Sequence, residues 1–290
     1  MSFSHNTFGT LGLLLALAAP LQAQTPAARD CSTPIARAGH YADVNGLHLY
    51  YETHGPATGT PVVLIHGALS NIRNSFGGLL PTLSCTHRVI AIEVQAHGHT
   101  ADIDRPLSTE NIADDLSALL RLLRVERADV IGYSMGGTAA QKFAVRHPEQ
   151  LRRLVVISSG FGPGAWNPDL LTFMHSIDPQ NAPWAADWKV EFEKYAPKPA
   201  QWPQPLVRIK ESLTASQDLS VEQIRGITVP TLLIYGDRDV VPLENALLFY
   251  RTLPHGELAL LPNTDHYPGV ASRGAWLSAL ILPFLDAPAQ

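Results

Sequence analysis

The sequence predicts an α/β layer fold built on a mostly parallel sheet, and two observations support this prediction. Several short runs are continuously apolar, which is typical of strands buried on both faces, and stretches with helical spacing alternate with them. Strands and helices in alternation imply parallel strands joined by right-handed crossovers. The apolar runs are residues 62–65, 89–92, 130–131, 154–157, 232–235 and 258–261, and the helical stretches are residues 112–123, 138–146 and 243–253.

Two other segments have a different pattern. Residues 41–51 form two alternating segments around Asn45-Gly46, a dipeptide that accepts the positive φ angles of a type I′ turn, so we expect a β-hairpin there. Residues 161–226 interrupt the alternation, and this segment holds four of the five tryptophans and eight prolines. An aromatic insertion after a strand end predicts a helical cap over a binding site. The core is then formed by residues 39–160 and 227–290.

Composition limits the classes of partner. The chain has 290 residues, of which 46% are hydrophobic and 16% are charged, and its formal net charge is −5. This length can bury one large core. Phosphate binding needs clustered lysine and arginine, which the sequence does not show, so we expect no nucleic-acid partner. A small molecule is the expected ligand.

The N-terminal region predicts export. The apolar run 11–19 is too short to cross a bilayer comfortably, and it is followed by a site resembling that of signal peptidase, with Ala23 as the last residue removed. Residues 1–23 are therefore interpreted as a signal peptide, and residues 24–38 as a flexible lead-in. An uncleaved membrane anchor is the alternative.

The sequence has two cysteines, Cys31 and Cys85. In an oxidising compartment they can form a disulfide or remain two unconnected thiols.

A glycine-flanked serine is the candidate nucleophile. Residues 132–137, Gly-Tyr-Ser-Met-Gly-Gly, follow the apolar run 128–131 and precede a segment with helical spacing. A strand that turns directly into a helix needs small residues two positions before and after its tip, and both are glycine here. This leaves the hydroxyl of Ser134 exposed and places the N–H of Met135 at a helix N-terminus, where an oxyanion can be held. A structural serine turn is the alternative.

A serine hydroxyl needs a base, and the base needs a carboxylate to fix its tautomer. Among the twelve histidines, His266 follows the last predicted strand and therefore lies at the same sheet edge as Ser134. Asp237 and Asp239 follow the strand predicted at residues 232–235, and their spacing does not separate them. The chain order serine, aspartate, histidine is the order of the triad in α/β-hydrolases.

At this point the chain, from about residue 41 to residue 285, resembles an α/β-hydrolase-fold serine hydrolase, of the esterase or lactonase kind with a helical cap. The matching motifs are His66-Gly67-Ala68, residues 132–137, residues 236–242 and Asp265-His266, in the expected order. The resemblance implies a mostly parallel sheet of about eight strands with helices on both faces. It also implies a catalytic serine with a histidine and an acid.

The resemblance assigns further roles. In this family the second aspartate of the motif G-D-x-D-x-x-V-P is usually the triad acid, which implies Asp239 and leaves Asp237 as a turn-stabilising residue. The residue after the H-G pair supplies an oxyanion-hole N–H in the family. This implies Ala68 as the second donor beside Met135.

The sequence departs from the family after the strand at residues 89–92. Where the family often has D-x-x-G-x-G-x-S, residues 93–100 read Glu-Val-Gln-Ala-His-Gly-His-Thr, with Ala96 in place of a glycine. His97 and His99 form an H-x-H pair, but a third ligand at suitable spacing is missing, so we expect no metal site. No cofactor is expected either.

Together these features predict an exported serine hydrolase, periplasmic or secreted, that cleaves an ester or lactone of a hydrophobic or bulky small molecule. A C–C bond hydrolase, a cofactor-free haloperoxidase or perhydrolase and an aminopeptidase on the same fold are the alternatives, as is a non-catalytic binder. We expect a monomer or homodimer without stable membrane association. His66 is expected to border the pocket and shape the oxyanion loop. The expected substrate-contacting residues are His66, Tyr133, Trp166, Trp184 and Trp188.

Overall fold

A twisted sheet forms the centre of the molecule in a computed structural model that describes residues 37–215, 218–267 and 271–288. Within these ranges the strands follow the order β1-β2-β4-β3-β5-β6-β7-β8 across the sheet. The strands are β1 (Arg37–Val44), β2 (Leu47–His54), β3 (Val62–Ile65), β4 (Val89–Glu93), β5 (Ala128–Tyr133), β6 (Leu151–Ile157), β7 (Thr231–Arg238) and β8 (Gly256–Asp265).

The sheet is mixed but mostly parallel. Strand β2 pairs antiparallel with β1 and with β4, and the neighbours from β4 to β8 pair parallel. Val44 and Leu47 face each other across the first hairpin, so Asn45-Gly46 is its two-residue turn, with φ angles of 50° and 81°. The predicted fold class and hairpin are confirmed. Because β3 and β5 to β8 run in the same direction, the loops that follow them meet at one edge.

Helices cover both faces of the sheet. The apolar runs alternate between two clusters, so that Val63 and Ile65 face one core while Val62 and Leu64 face the other. Helices α3 and α4 pack on the first side, and α1 and α10 pack on the second. This two-sided burial explains why the strands lack polar alternation. The helices are α1 (Ile72–Phe76), α2 (Leu80–Ser84), α3 (Thr109–Leu122), α4 (Met135–Arg146), α5 (Pro168–Ser176), α6 (Ala186–Tyr195), α7 (Gln204–Ala215), α8 (Val221–Arg225), α9 (Leu243–Thr252) and α10 (Gly274–Asp286).

Four of these helices, α5 to α8, lie between β6 and β7, within the segment 161–226 that we expected to form the cap. The segment has a small apolar centre of its own, made by Ile177, Ala185 and Leu206, against which Trp188 and Trp202 pack. No residue of α5 or α6 is itself buried. The cap therefore depends on aromatic packing and on contacts with the body more than on a large core.

An ion pair ties the cap to the body. The Nε atom of Arg208, on α7, lies 3.0 Å from both carboxylate oxygens of Asp102, and its Nη2 donates to the carbonyl of Ile103 at 2.9 Å. Gln95 Nε2 also donates to Asp102, at 2.8 Å. Both ionic partners are largely shielded from water, so solvent weakens their attraction less than it would at the surface. The contact fixes α7 beside the loop after β4.

Several expectations concern the N-terminal region. The segment 1–23, predicted to be a signal peptide, lies outside the described residues, as does Cys31, while the partly buried Cys85 is disulfide-bonded. Strand β1 begins at Arg37 and therefore includes the last two residues of the predicted lead-in. In the part of the chain that the structure describes, no helix is both long enough and apolar enough to span a bilayer.

Candidate active site

Ser134 lies at the tip of a sharp turn between β5 and α4. Its backbone has φ 54° and ψ −122°, a conformation that costs free energy in a residue with a side chain. The flanking glycines permit the turn. A Cβ atom on Gly132 would lie 2.1 Å from the carbonyl oxygen of Gly136, and one on Gly136 would lie 2.1 Å from that of Ile65. Helix α4 therefore starts directly against β3, and the Ser134 hydroxyl is held clear of the backbone.

The structure brings Ser134, His266 and Asp239 together in a line. Ser134 Oγ lies 2.9 Å from His266 Nε2, and His266 Nδ1 lies 2.8 Å from Asp239 Oδ1. A carboxylate can only accept, so Nδ1 donates to it and Nε2 is left as the acceptor for the serine proton. This is the tautomer that a general base needs. The three residues directly follow β5, β7 and β8, whose carboxyl ends share one sheet edge.

Asp239 remains charged although its side chain is fully buried. Burial by itself raises the pKa of this carboxyl, but the hydrogen bond and charge of His266 act in the opposite direction and bring the pKa below its usual value. The Ser158 hydroxyl lies near enough to lower this pKa further, although its geometry falls outside that of a regular hydrogen bond. A buried carboxylate that stays ionised can stabilise an imidazolium at His266.

The neighbouring aspartate has a different position. Asp237 is exposed, and its Oδ1 accepts the backbone N–H of Thr264 at 3.0 Å, which joins the ends of β7 and β8. The carboxylate in contact with the imidazole is that of Asp239. The two aspartates that sequence spacing could not separate thus differ in their partners.

Tyr133 precedes the nucleophile and supports the histidine. Its hydroxyl donates to the backbone carbonyl of His266 at 2.6 Å, and the two rings stack with their centroids 5.5 Å apart. Burial, followed by the charge of Asp239, raises the pKa of this phenol, so it stays a hydrogen-bond donor. Tyr133 lines the cavity described below, but its polar atom is used to hold the loop that carries His266.

Two backbone N–H groups are available for an oxyanion. Met135 begins α4, so its N–H is one of the first four in the helix that have no acceptor within it. Ala68 lies in the loop after β3, between residues whose N–H groups are occupied: Gly67 donates to Ser75 Oγ, and Leu69 donates to His97 Nε2. Ala68 and Met135 line the same cavity as Ser134.

Two buried histidines hold this loop. Each donates from Nδ1 to a backbone carbonyl, His66 to Gly67 at 2.7 Å and His97 to Gln95 at 2.9 Å. Each accepts a backbone N–H at Nε2, from Val94 and from Leu69 respectively, both at 3.1 Å. A ring that donates at one nitrogen and accepts at the other is neutral.

Burial keeps these two rings neutral. For His66, burial and then the nearby His97 lower the pKa to about 3, and burial lowers the pKa of His97 as well. His66 is completely shielded from solvent and does not line the cavity, so the expected substrate contact is not made there. It instead shapes the oxyanion loop, as also expected. The H-x-H spacing pointed only to metal binding as a role for His97, whereas in the structure its ring holds Leu69.

The loop at residues 93–100 holds no metal cluster. His99 Nδ1 lies 2.7 Å from Glu93 Oε2, and within the described ranges no group of three or more acidic, histidine or cysteine side chains could ligate an ion. Ala96, the position at which the resemblance led us to expect glycine, adopts a φ of 62°. The loop keeps the left-handed conformation that a glycine would take and accepts the strain of a Cβ.

A cavity of about 540 Å³ opens above Ser134, between the sheet edge and the cap. Trp184 is the centre of an aromatic cluster, with ring centroids 5.4 Å from Trp188 and 4.9 Å from Phe173. Trp166 approaches His266 edge-on, with the ring centroids 6.1 Å apart.

Among the described residues that line the cavity there is no lysine or arginine, and Asp218 is the one acidic residue. All three expected tryptophans, Trp166, Trp184 and Trp188, line this cavity.

Comparison with known proteins identifies the family. A family model described as alpha/beta hydrolase fold matches residues 60–206, which is half of the chain. The chain belongs to this family and is a hydrolase of the α/β-hydrolase fold.

Individual relatives differ in the substrates that their names give. The chain is 26% identical over 264 residues to a 2-hydroxy-6-oxo-2,4-heptadienoate hydrolase of Pseudomonas putida, covering 81% of this chain and 92% of that protein. It is 26% identical over 246 residues to a pimeloyl-[acyl-carrier protein] methyl ester esterase of Neisseria meningitidis, covering 78% and 93%. The enol-lactonase structure from Burkholderia xenovorans superposes with a TM-score of 0.67 at 21% identity, over 86% of this chain and 100% of that one, a likeness of fold.

The buried His66 predicts a defined loss of stability in acid. In the unfolded chain the imidazole takes up a proton near its ordinary pKa of 6.5, whereas in the folded protein it does so only near pH 3. Between these values the unfolded state binds more protons, so the free energy of unfolding falls as the pH is lowered. In His66→Gln, which has no imidazole at this position, we expect a shallower fall between about pH 6 and pH 4, measured by urea unfolding.

The control for this measurement is His255→Gln, at an exposed histidine. We expect it to leave the slope of unfolding free energy against pH as in the wild type. If His66→Gln retained the full wild-type slope, His66 would not be the neutral buried group described above.

Proposed function

We propose that this protein is a serine esterase or lactonase that acts on an uncharged hydrophobic substrate through an acyl-enzyme. The observation that carries the proposal is the continuous hydrogen-bonded line from Ser134 through His266 to Asp239 at the floor of an apolar cavity. A damaged triad would favour a non-catalytic binder, and this one has its nucleophile, base and acid in contact.

The geometry supports a two-step mechanism. Ser134 Oγ attacks the carbonyl carbon while its proton passes to His266 Nε2, and Asp239 stabilises the imidazolium that forms. The N–H groups of Ala68 and Met135 hold the negative charge that develops on the carbonyl oxygen. His266 then gives its proton to the departing alcohol, and water, activated by the same imidazole, releases the acid. In a lactone the departing alcohol stays attached to the acyl group.

The lining of the cavity favours an uncharged substrate. A carboxylate needs a cationic partner when it is removed from water, and no lysine or arginine of the described residues lines this cavity. The aromatic rings offer apolar area with few polar groups, which suits a hydrophobic acyl or alcohol group.

A C–C bond hydrolase is the second candidate, supported by the similarity to the dienoate hydrolase. The substrate in that relative's name is a carboxylate anion. The cavity of this protein has no lysine or arginine among its described lining residues to pair with such a charge.

The catalytic roles predict contrasting effects at three positions. Ser134→Ala is expected to lower kcat on a p-nitrophenyl ester by at least about a thousandfold, because the nucleophile is lost. Asp239→Asn should also lower kcat strongly, since an amide cannot fix the same tautomer. Asp237→Asn is the matched control and should stay near wild type, because its Oδ1 still accepts from Thr264.

Covalent labelling separates an enzyme from a binder. A fluorophosphonate probe should add to Ser134, as read by mass spectrometry, and should not label Ser134→Ala. An unlabelled wild type, or Ser134→Ala with wild-type turnover, would exclude the proposed nucleophile.

Charge discrimination tests the substrate class. We compare p-nitrophenyl esters of equal acyl length that end in a methyl group or in a carboxylate, and expect kcat/KM to favour the methyl form by about tenfold or more, because a buried unpaired carboxylate is costly. The preference should persist in Asp218→Asn, since desolvation causes it and repulsion by one acidic residue adds little. Faster cleavage of a 2-hydroxy-6-oxo-dienoate than of any ester would instead favour the C–C hydrolase.

We also propose that the protein is exported and that residues 1–23 are removed. The apolar run 11–19 with the cleavage-type site at Ala23 supports this, as does the disulfide-bonded Cys85, because disulfides persist in oxidising compartments. The intact mass of the protein recovered from the periplasm or medium is expected to correspond to a chain that starts at residue 24. A mass that includes residues 1–23 would contradict removal.

A further inference from the structure

One buried polar atom at the cavity has no partner. Among the described residues, four buried side-chain atoms make no hydrogen bond, and of their residues Gln141 alone lines the cavity above Ser134. The four atoms are Gln141 Oε1, Arg153 Nε, Ser158 Oγ and Arg273 Nε. A buried carbonyl oxygen without a donor destabilises the folded protein, so its position at a binding cavity points to a role in binding.

The orientation of the Gln141 amide is fixed by its own nitrogen. Nε2 donates to the backbone carbonyl of Gly160 at 3.1 Å and to Ser159 Oγ at 3.3 Å. A carbonyl oxygen accepts only, so the amide cannot be turned to place its oxygen against Gly160 without a clash of two acceptors. Oε1 is therefore the unpaired atom, and its pairing needs a donor from outside the protein.

A hydroxyl lies one helical turn closer to the nucleophile. Thr138 lines the same cavity, and its Oγ1 lies 2.9 Å from Ser159 Oγ. Ser134, Thr138 and Gln141 are spaced by four and three residues, which places them along one face at the start of α4. Seven residues of helix correspond to about 10 Å, so Gln141 lies well beyond the reacting carbonyl.

We propose that Gln141 Oε1 and Thr138 Oγ1 form a subsite for a hydroxyl group carried by the substrate, remote from the bond that is cleaved. This inference rests on the proposed esterase or lactonase activity and narrows its substrate class to hydroxylated hydrophobic esters or lactones. A hydroxyl fits because it donates to Oε1 and can exchange a second hydrogen bond with Thr138. A carboxylate does not fit, since Oε1 would repel it.

Binding at this subsite requires a small movement of the side chains around Gln141. The Gln141 side chain has no area exposed to solvent in the free enzyme, so neighbouring side chains have to shift when the hydroxyl enters. Such rotamer changes are common on binding. The same burial makes the hydrogen bond selective, because a substrate without a donor leaves the desolvated oxygen unpaired.

The test uses the wild-type enzyme first. Straight acyl chains of increasing length are compared as p-nitrophenyl esters, each in a methyl-terminated and a hydroxyl-terminated form. An apolar cavity by itself favours the methyl form at every length. We expect one length at which the hydroxyl form is instead preferred in kcat/KM, by about tenfold, as the terminal hydroxyl reaches Gln141.

Two variants then locate the preference. In Gln141→Met, which has similar volume and no acceptor, the methyl form should be preferred at that length too, and Thr138→Val should weaken the hydroxyl preference. Gln150→Met is the matched control, because Gln150 is also buried but contacts Ser117 and does not line the cavity; it should keep the wild-type ratio. A glutamine that only supports the fold would change both esters alike and leave their ratio unchanged.

The outcomes distinguish the two proposals. If no ester of either series is hydrolysed, the proposed function fails. If the methyl esters are hydrolysed but no chain length shows a hydroxyl preference, the subsite is wrong and the esterase stands. A wild-type preference that survives in Gln141→Met would also overturn the subsite. The wild-type series can overturn the subsite even if a variant does not fold, and Thr138→Val gives a second, independent location of the preference.

Discussion

The close passage of α4 against β3 and β5 is the constraint on which the site depends. The absence of side chains at Gly132 and Gly136 lets the helix begin where a Cβ would collide with backbone oxygens. The strained Ser134 then lies at the tip, with its hydroxyl directed to the imidazole and with the first N–H groups of the helix beside it. The strain is maintained because β3, β5 and β6 are paired and buried on both faces, which leaves the turn no lower-energy alternative.

The buried polar side chains around this turn are of two kinds, one ionised and the other neutral. The buried carboxylate of Asp239 is ionised beside His266, whereas the equally buried His66 and His97 are neutral rings that use both nitrogens for backbone hydrogen bonds. The first arrangement provides electrostatic stabilisation where charge develops in the reaction. The second fixes the loop of Ala68 without adding a positive charge that would compete with His266 for its aspartate.

The cap forms one side of the cavity in a protein whose fold serves several reactions. It rests on the body through the ion pair of Arg208 with Asp102 and covers an aromatic cavity that has no lysine or arginine among its described lining residues. A site of this kind gains affinity from apolar area and selectivity from a few polar atoms. Relatives at 26% identity are named as a dienoate hydrolase and as a methyl ester esterase, so the lining of the cavity is more informative about the substrate than the likeness.

By itself the sequence determined the fold class, the hairpin at Asn45-Gly46 and the positions of Ser134, His266 and two candidate acids, because local hydrophobic period and glycine spacing carry that information. It could not choose between Asp237 and Asp239 by spacing, nor place His66 behind the cavity wall, nor show that His97 holds Leu69. It also gave no sign that Gln141 has an unpaired oxygen. The tertiary structure decided these points, because hydrogen-bond partners and burial are set by segments distant in the chain that meet at one sheet edge.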